Sequence, residues 1–257
     1  MKAFQFNTTP GIRFGSDYSV GTAEEVSKKL GNKILFVTDP GLVKIGLHEK
    51  TITELQKYSE ILIFDNVEAD PSIKTLMSCV QQGRDFDATG VIGFGGGSSM
   101  DVSKLTALLI GSNENIHEAW GVANAKGPRL PLALYPTTSG TGSEVTPISI
   151  ITQEDLEKKG VSSPIILPDL AILDPSLTIG LPPHITAATG IDAMVHAIES
   201  YASKSVNNNL ISQTLAKEAL KLLGSSIRQA VINGKDIEAR SNMPVSYTHL
   251  TLPTTEA

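Results

Sequence analysis

Cysteine is almost missing from this 257-residue chain: Cys79 stands alone, so no intramolecular disulfide can form, and a reducing compartment is expected. Basic blocks are missing as well. The net charge is −6, which argues against nucleic acid as a partner. No apolar run approaches the roughly 18 residues of a membrane span, and the N-terminus MKAFQFNTTPGIRFG has no apolar core of a secretion signal. Low-complexity linkers and internal repeats are also lacking, because the 14 prolines and 22 glycines are spread between periodic segments. These absences predict a cytoplasmic protein with no membrane partner.

What is present is a 40% hydrophobic content, enough for a large core in one large or two modest domains. Phe4 to Phe14 reads as a short extended segment or hairpin turning at Thr9-Pro10-Gly11. Thr22 and Glu25 have capping-box spacing for a helix that stops at Gly31. Lys33 to Thr38 is a buried-type strand ending at Asp39-Pro40-Gly41, Leu47 to Tyr58 reads as helix, and Ile61 to Phe64 as the next strand. Asp70 before Pro71 predicts a cap for a helix through Val80. Strands alternating with helices imply a parallel sheet with helices on both faces, whose ligands sit at the carboxyl ends of the strands.

The stretch Ala88 to Leu109 carries the strongest signal. An apolar strand breaks into Gly95, Gly96, Gly97 and Ser98, and then a helix opens with Met100, Val102, Leu105, Leu108 and Leu109 at helical period. Backbone amides at such a turn can approach an anion with no Cβ in the way, and the helix dipole favours negative charge there. A plain tight turn serving helix-on-strand packing would carry the same glycines. The usual GxGxxG spacing is not met, and Asp39 precedes the glycines rather than following them. Asp39 itself reads either as an ordinary turn residue or as a carboxylate able to accept from ribose hydroxyls and repel a 2′-phosphate.

Further on, Leu130 to Tyr135 predicts a strand that runs into Pro136-Thr137-Thr138-Ser139-Gly140-Thr141-Gly142-Ser143-Glu144, a loop of small donors that can wrap a ligand or lie plainly on the surface. Val145 to Thr152 and Ile165 to Leu173 read as extended, joined through a charged turn over Gln153 to Lys159. Strand signals end at Pro182. Thr186 to Tyr201 and Leu210 to Ile232 are helical, which places a boundary near Gly180. On the first of these helices Asp192 and His196 lie one turn apart on one face, where both can reach one divalent metal; a helix-surface ion pair has the same spacing.

Together, Asp39, GFGGGSSMDVSK, PTTSGTGSEVT, SPIILPDLAILDP and LPPHITAATGIDAMVHAIESY are similar to the iron-containing (group III) alcohol dehydrogenases, a likeness covering Phe4 to Met243 with its motifs in order. The resemblance implies an α/β fold, with a Rossmann-like parallel-sheet NAD-binding domain over residues 1–180 followed by a truncated all-helical metal-binding domain over 181–243. It implies that Asp39 contacts the adenosine ribose and favours NAD over NADP. It further implies that Gly95, Gly96, Gly97 and Ser98 cradle the pyrophosphate, that Thr137, Thr138 and Ser143 line the cofactor, and that Lys158 touches it. Asp192 and His196 match the first two of four ligands to a divalent metal, Fe2+ or Zn2+. Asp70 stands where many members have asparagine near the adenine. The implied reaction is reversible hydride transfer between an alcohol and an aldehyde or ketone, the metal polarising the substrate oxygen. The related dehydroquinate-synthase-like lyases share the fold, the NAD and the metal helix, and a non-catalytic NAD-binding fragment is the third reading. A small-molecule alcohol or aldehyde is the expected partner, with a homo-oligomer left open.

After Met243 the chain changes character. VSYTHLTLPTT resembles a translated sequencing adapter, so residues 244–257 are expected to be a non-native tail, and Pro244 to stop any helix arriving from Ile237. His249 in that tail is not expected to be a ligand, and His48, His117 and His184 read as surface or loop histidines. With the helical domain cut short, Leu215, Leu222, Leu223 and Ile227 are expected to face water.

Overall fold

The computed structural model describes residues 3–205 and 207–248. The chain opens with β1 (Gly11–Phe14), α1 (Tyr18–Gly21), α2 (Ala23–Leu30), β2 (Lys33–Val37), α3 (Pro40–Lys44), α4 (Glu49–Leu55) and β3 (Glu60–Phe64). Next come α5 (Ile73–Asp85), β4 (Gly90–Gly95), α6 (Gly97–Ser112), α7 (Ile116–Ala119), β5 (Gly121–Val122) and β6 (Leu132–Pro136). The remainder is β7 (Ile148–Thr152), β8 (Lys158–Ser162), β9 (Leu170–Leu173), α8 (Pro183–Ala202), α9 (Leu210–Ile232) and α10 (Ile237–Thr248).

Six strands form one parallel sheet in the order β1-β9-β6-β4-β2-β3. The central strands are continuous apolar runs because both faces are covered. Leu35, Val37 and Val91 point to the side of α5 and α6, while Ile34, Phe36 and Ile92 point to the side of α2 and α4. The chain goes from β2 outward to β3 and then returns to the other flank of β2 as β4. The strand order therefore reverses between β2 and β4, and the crevice beyond their carboxyl ends is where such sheets take ligands. A separate cluster made by α8, α9 and α10, including Ala193, Ala197, Leu223 and Met243, forms the core of the helical region.

Several sequence expectations need correction. The N-terminal segment makes no hairpin: β1 crosses to the far edge of the sheet and pairs with β9, a long-range partner that local pattern cannot reveal. Thr22 caps nothing with its side chain, because its hydroxyl donates back to the Tyr18 carbonyl at 2.6 Å. The cap of α5 is Ser72, whose Oγ accepts from the Thr75 N–H, whereas Asp70 takes a left-handed φ of 53°. The charged turn after Thr152 holds a strand: β8 begins at Lys158 and pairs antiparallel with β7 in a small second sheet. Its polar residues hid it from a search for apolar runs.

Pro244 does not end the last helix but lies inside α10. Burial of Ala239, Arg240, Met243 and Ser246 holds these turns together against the roughly 3 kcal/mol that an interior proline costs. Arg240 reaches the Thr186 hydroxyl and the Leu181 and Gly234 carbonyls, tying α10 to the start of α8. Leu223 does not face water; it is fully buried between the helices, and Leu215, Leu222 and Ile227 are half-buried. Apolar exposure falls instead on Ile191, Val195 and Ile198 of α8 and on Leu210, Ile211 and Ile232 of α9. His249 and the rest of the 249–257 segment lie outside the described residues. No helix among the described residues is long and apolar enough to cross a membrane.

Candidate functional site

At the strand-order reversal, β2 delivers Asp39 and β4 delivers the glycine turn. Asp39 caps α3, its Oδ1 accepting from the Leu42 N–H at 3.0 Å. Its other oxygen faces Gly95, where an added Cβ would stand 3.5 Å from it. Gly95 is constrained twice over. Its φ is 153°, a region side chains rarely adopt, and a Cβ there would lie 2.6 Å from the Ser99 Oγ. Gly96 differs, since its Cβ would meet nothing closer than the Thr138 Oγ1 at 3.5 Å, an ordinary van der Waals contact. Gly96 also sits at the N-cap of the sixteen-residue α6 with no side-chain cap bond, so the positive end of that helix is not capped by a side chain of its own.

The loop after β6 forms the opposite wall. The Thr137 N–H donates to the Gly95 carbonyl at 3.0 Å, Thr138 faces Gly96, and Thr141 faces Gly97. Gly140 packs against Thr189 of α8 so closely that a Cβ would lie 2.9 Å from the Thr189 Cβ. Thr189, Asp192 and His196 are three and four residues apart and share one face of that helix. The loop is thus the physical link between the glycine turn and the helix carrying Asp192 and His196.

Ser143 is placed differently from the other predicted loop residues. Its buried hydroxyl donates to Asp101 Oδ1 at 2.8 Å and accepts from the Lys104 Nζ at 2.7 Å. Lys104 is fully buried and also donates to the Thr146 carbonyl at 2.9 Å and the Ile148 carbonyl at 2.7 Å. Burial brings its ammonium down to about 8, opposed by the charges of Asp101 and Glu144. Three acceptors around one nitrogen are the complement of an ammonium, and Lys104 is charged at neutral pH. Glu144, also fully buried, has neither carboxylate oxygen hydrogen-bonded, and burial pushes it up to about 7. Sequence reading passed over Asp101, Lys104 and Glu144. The available signal was a lysine inside the apolar run of α6, between Val102 and Leu105.

On α8 the His196 Nε2 lies 3.7 Å from the Asp192 Oδ1, and both side chains are partly exposed. They stand among Ile191, Val195 and Ile198, which are 54%, 44% and 52% exposed. Among the described residues no group of three or more histidine, cysteine or acidic side chains is placed to hold a metal, so no third such side chain joins Asp192 and His196. His184 and His117 are exposed as expected, but His48 is buried at the start of α4. Lys158 forms an ion pair with Asp70 at 2.7 Å, both side chains well exposed. Cys79 is buried on α5, and its thiol is pushed up to about 12 by burial, which makes it inert.

A Rossmann-like sheet whose glycine turn faces a hydroxyl-rich loop, joined to a helical region carrying an Asp and a His one turn apart, defines the class of protein. The family model described as "Iron-containing alcohol dehydrogenase" matches residues 9–175, and that described as "Fe-containing alcohol dehydrogenase family, C-terminal" matches residues 186–250. The chain belongs to the iron-containing alcohol dehydrogenase family. It is 40% identical over 244 residues to the sulfoacetaldehyde reductase of Bilophila wadsworthia, covering 94% of this chain and 62% of that protein. It is 44% identical over 221 residues to long-chain-alcohol dehydrogenase 1 of Geobacillus thermodenitrificans, covering 84% and 55%. The structure of the sulfoacetaldehyde reductase from Bifidobacterium kashiwanohense in complex with NAD+ superposes with a TM-score of 0.89 at 30% identity, covering 98% of this chain and 68% of that one. The chain therefore spans roughly three-fifths of the length of the curated relatives it matches.

Proposed function

We propose that this chain carries the dinucleotide site and half of the metal site of an NAD-dependent, divalent-metal-dependent alcohol dehydrogenase. The observation that carries this reading is the convergence at the strand-order reversal. Asp39, the glycine turn and the Thr137–Ser143 loop meet there, and the loop touches α8 one turn before Asp192. Two features support a pyrophosphate here: Gly96 presents bare backbone opposite the Thr138 side chain, and the N-terminus of α6 has no side chain of its own to satisfy it. One carboxylate and one imidazole suit Fe2+ or Zn2+ as two members of a larger set.

In this reading Asp39 accepts from the ribose hydroxyls with the oxygen not used in capping α3, and its charge repels a 2′-phosphate. Gly95, Gly96, Gly97 and Ser98 offer backbone amides to the pyrophosphate, Thr137 and Thr138 close the opposite wall, and Lys158 reaches the cofactor from β8. Asp192 and His196 would hold the cation on a stretch of α8 where Ile191, Val195 and Ile198 are also exposed. When bound, the nicotinamide supplies the hydride acceptor and the cation the Lewis acid for an alcohol or carbonyl oxygen. The match to the alcohol dehydrogenases favours this reading over a dehydroquinate-synthase-like lyase.

Isothermal titration of the chain with NADH and NADPH tests the cofactor assignment. Asp39→Ser keeps an oxygen to cap α3 and removes the charge, and is expected to improve NADPH binding relative to NADH by about tenfold. An unchanged ratio removes Asp39 from the ribose site, and absence of NADH binding to the unaltered chain overturns the reading.

A further inference from the structure

We propose that Lys104 and Asp101 are positioning residues for the dinucleotide: from one face of α6 they clamp residues 143–150, and so set the distance between the Thr137–Ser143 wall and the glycine turn. The inference rests on the dinucleotide reading above. Six hydrogen bonds make the clamp. Lys104 donates to the Ser143 hydroxyl and to the Thr146 and Ile148 carbonyls. Asp101 accepts from the Ser143 hydroxyl and the Ile150 N–H through its carboxylate, and from the Ser149 hydroxyl through its backbone carbonyl.

Three features separate this from ordinary packing. First, the clamp and the cradle are carried by the same rigid element. Gly97 begins α6 and Lys104 lies two turns along it, so the two sides of the crevice are referenced to one helix. Second, Lys104 replaces what would otherwise be an apolar contact. A buried cation is weak evidence for stability, since a well-packed apolar side chain does as well or better. What an apolar side chain cannot supply is three donors to a loop that is not in a strand between Pro136 and Ile148. Third, Ser143 has no proton to spare. Its hydroxyl is committed to Asp101 while its oxygen receives Lys104, so it acts through the clamp rather than by donating to a bound cofactor.

The test compares the unaltered chain with Lys104→Met and Ser143→Ala, by amide hydrogen exchange without ligand and by NADH titration. Lys104→Met is expected to raise exchange of the 137–150 amides by at least about tenfold and to weaken NADH binding by a similar factor, while β2, β3 and β4 exchange as before. Ser143→Ala removes one link and is expected to weaken NADH binding several-fold, with Ser143→Thr restoring it. If Lys104→Met does not fold, the two Ser143 variants decide alone. A loosened loop with undiminished NADH affinity overturns the proposal, as does an unloosened one. Should the unaltered chain bind no NADH, the dinucleotide reading falls and the clamp's role falls with it; should the unaltered chain and the variants bind equally, the clamp alone is refuted.

Discussion

The glycine crevice and the exposed face of α8 are built in opposite ways. The crevice is made of backbone and buried polar groups: Gly95 has no room for a side chain, the Thr137 N–H donates to the Gly95 carbonyl, and Lys104 and Asp101 hold the far wall. The face of α8 is two partly exposed side chains on a regular helix, flanked by exposed isoleucine and valine. A crevice of the first kind is pre-organised, and a change in it disturbs the fold together with binding. A pair of the second kind can be removed with little effect on the fold, because nothing else leans on it.

The largest expected effect breaks the crevice from within. Gly95→Val places a side chain at a φ of 153° against Ser99 and is expected to cost about 3 kcal/mol or more in stability, read by urea denaturation. Gly96→Val, one residue on, meets only ordinary contacts. It is expected to leave the urea midpoint nearly unchanged while weakening NADH binding by at least about tenfold. Equal stability loss in both variants would mean that the two glycines serve packing alone.

A smaller effect comes from Glu144. In the unfolded chain its carboxyl titrates near 4.5, and in the folded chain burial holds it up to about 7. Between these values the folded chain keeps a proton that the unfolded chain has lost. Glu144 therefore favours folding most below about pH 4.5, and that advantage declines as pH rises to about 7 and is then gone. Thermal midpoints measured across this window should fall less steeply with rising pH for Glu144→Gln than for the unaltered chain. Parallel curves would show that Glu144 is not held protonated.

The smallest expected effect on the fold is at α8. His196→Ala should change stability by no more than about 0.5 kcal/mol, because the Asp192 pair is exposed and its spacing of 3.7 Å is long. The same variant should abolish binding of Co2+, followed by its visible absorption, if Asp192 and His196 chelate metal. A stability loss as large as that of Gly95→Val would erase the distinction between the two regions.

Much of this was legible in the sequence because local chemistry fixed it. The apolar run of β4, the glycines and the stripe of α6 required no partner to be recognised, and Leu210 to Ile232 is the span of α9 as read from its periodicity. The glycine turn was read together with its alternative, a packing turn, and the packing component is plain at Gly95, whereas Gly96 meets only ordinary contacts with Thr138. The misreadings have a common cause. Lys158 and its neighbours looked like a turn because β8 is polar, and only pairing with β7 makes them a strand. Thr22 and Asp70 have the composition of caps, but Thr22 donates to Tyr18 and Asp70 ion-pairs with Lys158. Pro244 should break a helix by itself, but burial of its neighbours in α10 outweighs it.

By itself, then, the sequence determined the alternation of strands and helices around the glycine turn, the turn itself and the one-turn spacing of Asp192 and His196, all consequences of backbone geometry over a few neighbouring residues. Only the tertiary structure decided which side chains are buried with their charges. It brought Lys104 to Ser143 across 39 positions of chain, buried the Glu144 carboxyl without a hydrogen-bond partner, and set Gly140 against Thr189. Such contacts depend on how the sheet and helices stack, and their energy comes from removing polar groups from water, which no local pattern records.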